Sequence, residues 1–173
     1  MLIRRETAED VPAVRAVVAA AFADPERPGR VPAEATLLDE LRAEAAWLPE
    51  FSLVAEGPAG GVVGHVLCTR AHVDASPALA LGPLAVHPEH QRRGVGLALV
   101  HAVLGAADAR DEPVVVLLGD PRYYSRFGFR LAAEIGIAPG VPSWRPHFQA
   151  RTLAAYTPAL RGTFAYAEPF DRV

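Results

Sequence analysis

Two hydrophobic spacings alternate along this chain, and they predict strands interleaved with helices. Residues 2–5 read as a short strand. Val11, Val14, Val17 and Val18 then give a helical stripe that runs to about Phe22, and Thr7 with Asp10 three residues later makes an imperfect capping box at its start. The loop of residues 24–32, rich in proline and charge, breaks that helix. Leu37, Leu38 and Leu41 predict a second helix over residues 33–46. Residues 51–56 and 62–69 are β-rich runs joined by Gly57-Pro58-Ala59-Gly60-Gly61, the pattern of a hairpin. The next strand, residues 79–86, is interrupted by Gly82-Pro83. Proline has no N–H to give to a ladder, so a bulge is expected there.

Beyond residue 86 the period changes again. Leu97, Val100, His101 and Leu104 fall at i, i+3, i+4 and i+7, so a helix begins near Gly94-Val95-Gly96. Residues 113–118 form a continuous apolar run, the mark of a central strand buried on both faces. Asp120-Pro121 then reads as an N-cap and first helical residue, opening a short helix that carries Tyr123, Tyr124 and Arg126 and stops at Gly128. Residues 129–132 start a strand. The proline-rich segment that follows is expected to be irregular before two further strands, residues 148–153 and 162–170.

The run Gln91-Arg92-Arg93-Gly94-Val95-Gly96 has the chemistry of an anion site. The first N–H groups of a helix lack internal partners and carry the positive end of its dipole. Glycine lets backbone come close to a bound anion and take positive φ. A P-loop would need Gly-Lys-Ser/Thr, and the chain contains no lysine. A dinucleotide fingerprint would need Gly or Ala where Leu99 stands; Asp120 could imitate its ribose-binding acid, which leaves that reading a minor alternative.

Composition narrows the function classes. Hydrophobic residues make up 51% and charged residues 21% of 173 residues, values for one globular domain spanning residues 1–173. A net charge of −3 gives no basic footprint for nucleic acid, and no apolar window has the length of a membrane span. All 17 basic residues are Arg, so Arg in place of Lys at 92 or 93 carries little functional information. Cys68 is the only cysteine, and MLIRRETAED is not followed by a signal-peptide core; a cytoplasmic protein is expected.

The glycine loop fits the signature Gln/Arg-x-x-Gly-x-Gly/Ala. With Val86-His87-Pro88-Glu89 before it and Tyr124-Ser125-Arg126-Phe127-Gly128-Phe129 after it, the chain resembles the GNAT superfamily of acyl-CoA-dependent N-acetyltransferases, most strongly over residues 79–131. The resemblance implies an α/β (α+β) fold: a mixed, mostly antiparallel central sheet splayed in the middle, with helices on both faces. It implies that the amides of Gln91, Arg92, Arg93, Gly94, Val95, Gly96 and Leu97 hold the coenzyme A pyrophosphate. Leu84, Ala85 and Val86 would face the pantetheine arm, with Tyr124 and Arg126 also at the cofactor. Residues 22–32 become a candidate for acceptor choice, and the acceptor would be a small-molecule or peptide amine.

Acetyl transfer needs a neutral amine, a polarised thioester carbonyl and a proton for the leaving thiolate. A phenol stays protonated at neutral pH yet can hydrogen-bond a thiolate, so Tyr124 is the candidate acid, by match to the family's Tyr-x-x-x-Gly-Phe pattern. Relatives often place a Glu on the bulged strand, but residues 79–86 contain no carboxylate. His65 on the neighbouring strand has the right intrinsic pKa for a base, with Glu56 and Glu34 acting through water as alternatives. His87 and His90 lack helical i, i+4 spacing and companion cysteines, so no metal is expected there. An acyl-CoA-binding sensor without turnover is the competing class.

Overall fold

The computed structural model describes residues 1–172. Strands β1 (Leu2–Arg5), β2 (Ser52–Glu56), β3 (Val62–Val73) and β4 (Ser76–Val86) follow one another as antiparallel neighbours. After β4 the chain crosses through helix α3 (Val95–Asp108) and returns as β5 (Val114–Leu118), parallel to β4. The sheet continues with β8 (Phe148–Thr152) beside β5 and β6 (Arg130–Leu131) beyond it. Two short strands, β7 (Ile137–Pro139) and β9 (Gly162–Ala165), pair with each other and attach to the far end of β3. The mixed, mostly antiparallel sheet expected from the sequence is therefore present.

Helix α1 (Val11–Ala21) and helix α2 (Ala33–Arg42) cover one face. Val14, Val18, Leu38 and Leu41 are fully buried against Val54, Leu67 and Ala85. Each such side chain contributes about 1.5–3 kcal/mol by leaving water. Helix α3 covers the other face, laying Leu99, Val100 and Val103 on Val66, Cys68, Leu79 and Val115. The capping box forms: Asp10 accepts from the Thr7 amide at 2.8 Å and is also gripped by Arg4 at 2.7 and 2.9 Å.

Several boundaries differ from expectation. Helix α2 stops at Arg42 instead of reaching residue 46, because the Ala46 carbonyl accepts from the Arg70 amide and Trp47 folds under the Arg42 guanidinium, 5.5 Å from it. β3 and β4 extend past their apolar cores into a long hairpin turning at Asp74, where polar side chains and Pro77 hide the β pattern. The last strand ends at Ala165, and Glu168–Arg172 is a 3-10 turn that brings Phe170 back onto the sheet.

The feature that creates a site lies between β4 and β5. They pair at Leu79↔Val115 and Ala80↔Val116 and nowhere further along. β4 runs on to Val86 bonded to β3 alone, while Leu117 and Leu118 of β5 bond to β8. The predicted bulge sits at this divergence: Leu81 and Leu84 of β4 pair with Cys68 and Val66, so Gly82-Pro83 lies opposite the single residue Leu67. Pro83 occupies a point where no ladder donor is required, and the strand bends away from its parallel neighbour.

Candidate active site

Two cavities of about 480 Å³ each open along the splay, and Leu84 lines both. One lies over the end of β4 and the start of α3, lined by Val86, Gln91, Arg92, Gly94, Val95, Gly96, Leu97, Tyr123 and Arg126. The loop is built for this. Gln91 donates its side-chain N–H to the Val86 carbonyl at 3.1 Å, tying the loop to the strand end. Gly94 takes φ +83°, a left-handed conformation that costs other residues roughly 1–2 kcal/mol. The Ala98 amide bonds to the Gly94 carbonyl, so the amides of Val95, Gly96 and Leu97 belong to the open first turn of the helix. A Cβ on Gly96 would come within 2.8 Å of the Tyr123 hydroxyl, so glycine there also makes room for the aromatic wall.

Arg126 is oriented as well as charged. Its Nε donates to the Tyr123 carbonyl at 2.9 Å and its guanidinium lies 4.9 Å from the Tyr123 ring. With Arg92 it makes this cavity cationic; among the described residues no carboxylate lines it. Arg93 is exposed and lines neither cavity, and the Ala85 side chain is buried under α1 and α2, leaving only its backbone on the splayed edge. Tyr123, expected only as a neighbour of Tyr124, lines the cationic cavity itself.

The second cavity lies in the mouth of the splay. Leu81, Gly82 and Pro83 of β4 form one side, and Leu118, Gly119, Asp120 and Tyr124 form the other. Asp120 caps helix α4 (Pro121–Tyr124) by accepting from the Arg122 amide at 2.9 Å, which fixes the turn that presents Tyr124. The Tyr124 ring packs edge-on to Tyr123 at 4.9 Å and to Phe129 at 5.8 Å. A Cβ on Gly119 would meet that ring at 2.5 Å, so glycine at the end of β5 is what lets Tyr124 lie there. Burial pushes the Tyr124 phenol up to about 12. Phe22, Glu34 and Leu37 close the cavity from the α1–α2 side, and Trp144, Tyr166 and Phe170 close it from the C-terminal segment. Of residues 22–32, Phe22 alone contributes to this lining.

His65 lies elsewhere. It is fully buried between the sheet and α1, and its Nε2 is 2.9 Å from the Ser52 hydroxyl and 3.0 Å from Glu6 Oε2. Burial lowers its pKa despite Glu6. Burial would raise that of Glu6, but hydrogen bonds from His65 and Ser52, with Arg42 nearby, hold it low. His65 lines neither cavity, and its Nδ1 is buried without a partner. Glu56 is bound by Arg4, away from the splay. Glu34, the other carboxylate weighed from the sequence, is at the cavity. Burial raises the Cys68 thiol well above its usual range, as suits a core residue.

A parallel strand–helix–strand crossover, a bulged strand leaving its neighbour, and a glycine loop opening a helix at the gap are the arrangement that the resemblance to the GNAT acyltransferases implies. The acetyltransferase (GNAT) domain model matches residues 2–132, and the chain belongs to that family. It is 33% identical to the Escherichia coli K12 protein described as uncharacterized N-acetyltransferase YhbS, over 99% of each chain. The crystal structure of E. coli YhbS in complex with CoA shares 32% identity with a TM-score of 0.88, covering 99% of this chain and 92% of that one. A Brucella melitensis GNAT family acetyltransferase in complex with acetyl-CoA shares 31% identity with a TM-score of 0.77, over 98% and 97%.

Proposed function

We propose that this protein transfers the acetyl group of acetyl-CoA directly to an amine held in the mouth of the splay. The observation that carries this reading is the meeting, at Leu84, of an arginine-lined cavity on a helix N-terminus with a cavity that holds Tyr124. In it the pyrophosphate sits on the amides of Gly94 to Leu97 beside Arg92 and Arg126, and the pantetheine amides add to the open edge of β4 at Leu84 to Val86. Residues beyond 132, outside the matched domain, complete the same unit by supplying β8 and the aromatic side of the acceptor cavity. With its single cysteine buried, the protein suits the cytoplasm, where its cosubstrate is available.

The amine nitrogen attacks the thioester carbonyl, forming C–N while C–S breaks and the electron pair leaves on sulfur. A phenol near 12 holds its proton at physiological pH, so the Tyr124 O–H is always present to hydrogen-bond the developing thiolate. Sulfur takes its proton from the Tyr124 O–H as C–S breaks, and the phenolate, a stronger base than a thiolate of pKa about 8.5, regains one from the cationic nitrogen of the adduct, which is left as the neutral amide. Glu34, reaching through water, is assigned to take the proton from the incoming amine; His65 is assigned to the stability of the sheet.

Coenzyme release measured over an amine panel tests the reading. Tyr124→Phe keeps the ring and should lower kcat by about a hundredfold to ten-thousandfold with little change in KM for acetyl-CoA. Tyr123→Phe is the control. Equal turnover in Tyr124→Phe and wild type removes the assigned role. Tight CoA binding with no turnover of any amine by the wild type favours the sensor.

A further inference from the structure

Acceptor choice is the open part of this site, and the cavity's own chemistry bears on it. Three half-buried rings from the C-terminal segment form one wall: Trp144 stands edge-on to Tyr166 at 6.0 Å, and Tyr166 lies 4.8 Å from Phe170 at 40°. Phe22, at the end of α1, contributes a fourth ring to the lining. Among the described residues, two carboxylates line the same space and no Arg or His does. Asp120 is already engaged, ion-paired with Arg122 at 3.0 Å and capping α4. Glu34 has no ion-pair partner among the described residues.

An apolar, ring-walled cavity with one uncommitted carboxylate has the recognition chemistry of a single cation carried on a flat apolar body. The ring faces attract the ammonium and pack against the apolar part, and Glu34 supplies the counter-charge. A polyamine would bring several charges to one free carboxylate. A polar sugar amine would bury hydroxyls against rings that offer few partners, at the cost of unmade hydrogen bonds. A cavity of about 480 Å³ falls in the range that encloses a small ligand.

Resting on the acetyl-transfer reading, we propose that the acceptor is a small primary arylalkylamine. Trp144, Tyr166 and Phe170 select its aromatic body, and Glu34 selects its ammonium. Selection of the aromatic body then resides in the segment after residue 132 and selection of the charge in α2, both outside the cosubstrate loop.

The experiment is calorimetric titration into the CoA-saturated full-length protein, which reads acceptor binding without turnover. The probes are 2-phenylethylamine, its neutral counterpart 2-phenylethanol, spermidine and a short lysine peptide. The amine should bind about tenfold or more tightly than the other three, the size of one desolvated cation–ring and carboxylate pairing. Glu34→Gln should bring amine and alcohol to within about threefold of each other, and Trp144→Ala should weaken both aromatic probes about fivefold or more. CoA affinity should be unchanged in each variant, which establishes that the variant is folded. Tighter binding of spermidine or the peptide, or no binding of phenylethylamine to protein that does bind CoA, overturns the proposal. Failure of the wild type to bind CoA overturns the acetyl-transfer reading beneath it, and this proposal with it.

Discussion

The two cavities along the splay have similar volume and share Leu84, yet their charges are opposite. The one on α3 is lined by Arg92 and Arg126 and no carboxylate; the one in the mouth is lined by Glu34 and Asp120 and no arginine. The two cavities along the splay are thus sorted by sign, one end cationic and the other acidic. In a chain of net charge −3 such sorting is local, set by which elements reach each end. The cationic end comes from one contiguous stretch, β4 through α3, with Tyr123 and Arg126 folded back onto it. The acidic end is assembled from α1, α2, β4, β5 and the C-terminal segment.

Arg126→Ala removes a charged donor held by Tyr123, and the loss of a charge-assisted contact of about 1.5–3 kcal/mol should raise KM for acetyl-CoA by about tenfold to a hundredfold, with kcat kept. The same substitution should leave acceptor KM unchanged; a change there would mean the two ends are not separate. Gly119→Ala works from the opposite end. A Cβ there displaces the Tyr124 ring, so kcat should fall by about tenfold or more while acetyl-CoA affinity stays close to wild type. Full activity in that variant would show that the ring's position is not set by the glycine.

The smallest effect on activity is expected at His65. Its substitution by Gln should leave the rate at neutral pH near wild type, because it lines neither cavity. Its signature is in stability. His65 is lowered in the folded state by burial, so between that value and its unfolded pKa of about 6.5 the unfolded chain binds more protons. Stability should therefore fall as pH drops below about 6.5. Glu6, also lowered in the fold, adds a further loss as pH falls below its unfolded value, at about 4.3. Thermal melts across pH 5 to 8 should show the first slope in wild type and a flatter one in His65→Gln. A large rate loss with an unchanged melting profile would return His65 to the chemistry.

The difference between the two ends also explains what the sequence discloses. The strand, bulge, glycine loop and helix lie in order along residues 79–104, so local rules suffice: proline at a bulge, glycine at a left-handed turn, apolar spacing of 3.6. Tyr124 and its capping Asp120 are legible for the same reason. The acceptor end is not, because Phe22, Glu34, Trp144 and Tyr166 are brought together only by tertiary packing. Trp144 sits in a proline-rich stretch with no period, and nothing nearby marks it as cavity lining. Glu34 was one of three candidate bases, and only the folded chain separates it from Glu56, which Arg4 occupies, and from buried His65. Gly119 could not be read as a support for Tyr124, since its role is the absence of a Cβ under a ring five residues away.

The most direct test of the account is calorimetric titration of acetyl-CoA into wild type and Gly94→Val, with NAD(H) titrated into wild type. Gly94 takes φ +83° and has no neighbour within 4 Å of a built Cβ, so the substitution acts on loop conformation and spares the core. The account predicts saturable, one-to-one acetyl-CoA binding by wild type, none by a Gly94→Val protein whose circular dichroism is unchanged, and none of NAD(H). Equal acetyl-CoA binding by both proteins, or saturable NAD(H) binding without CoA binding, would contradict it.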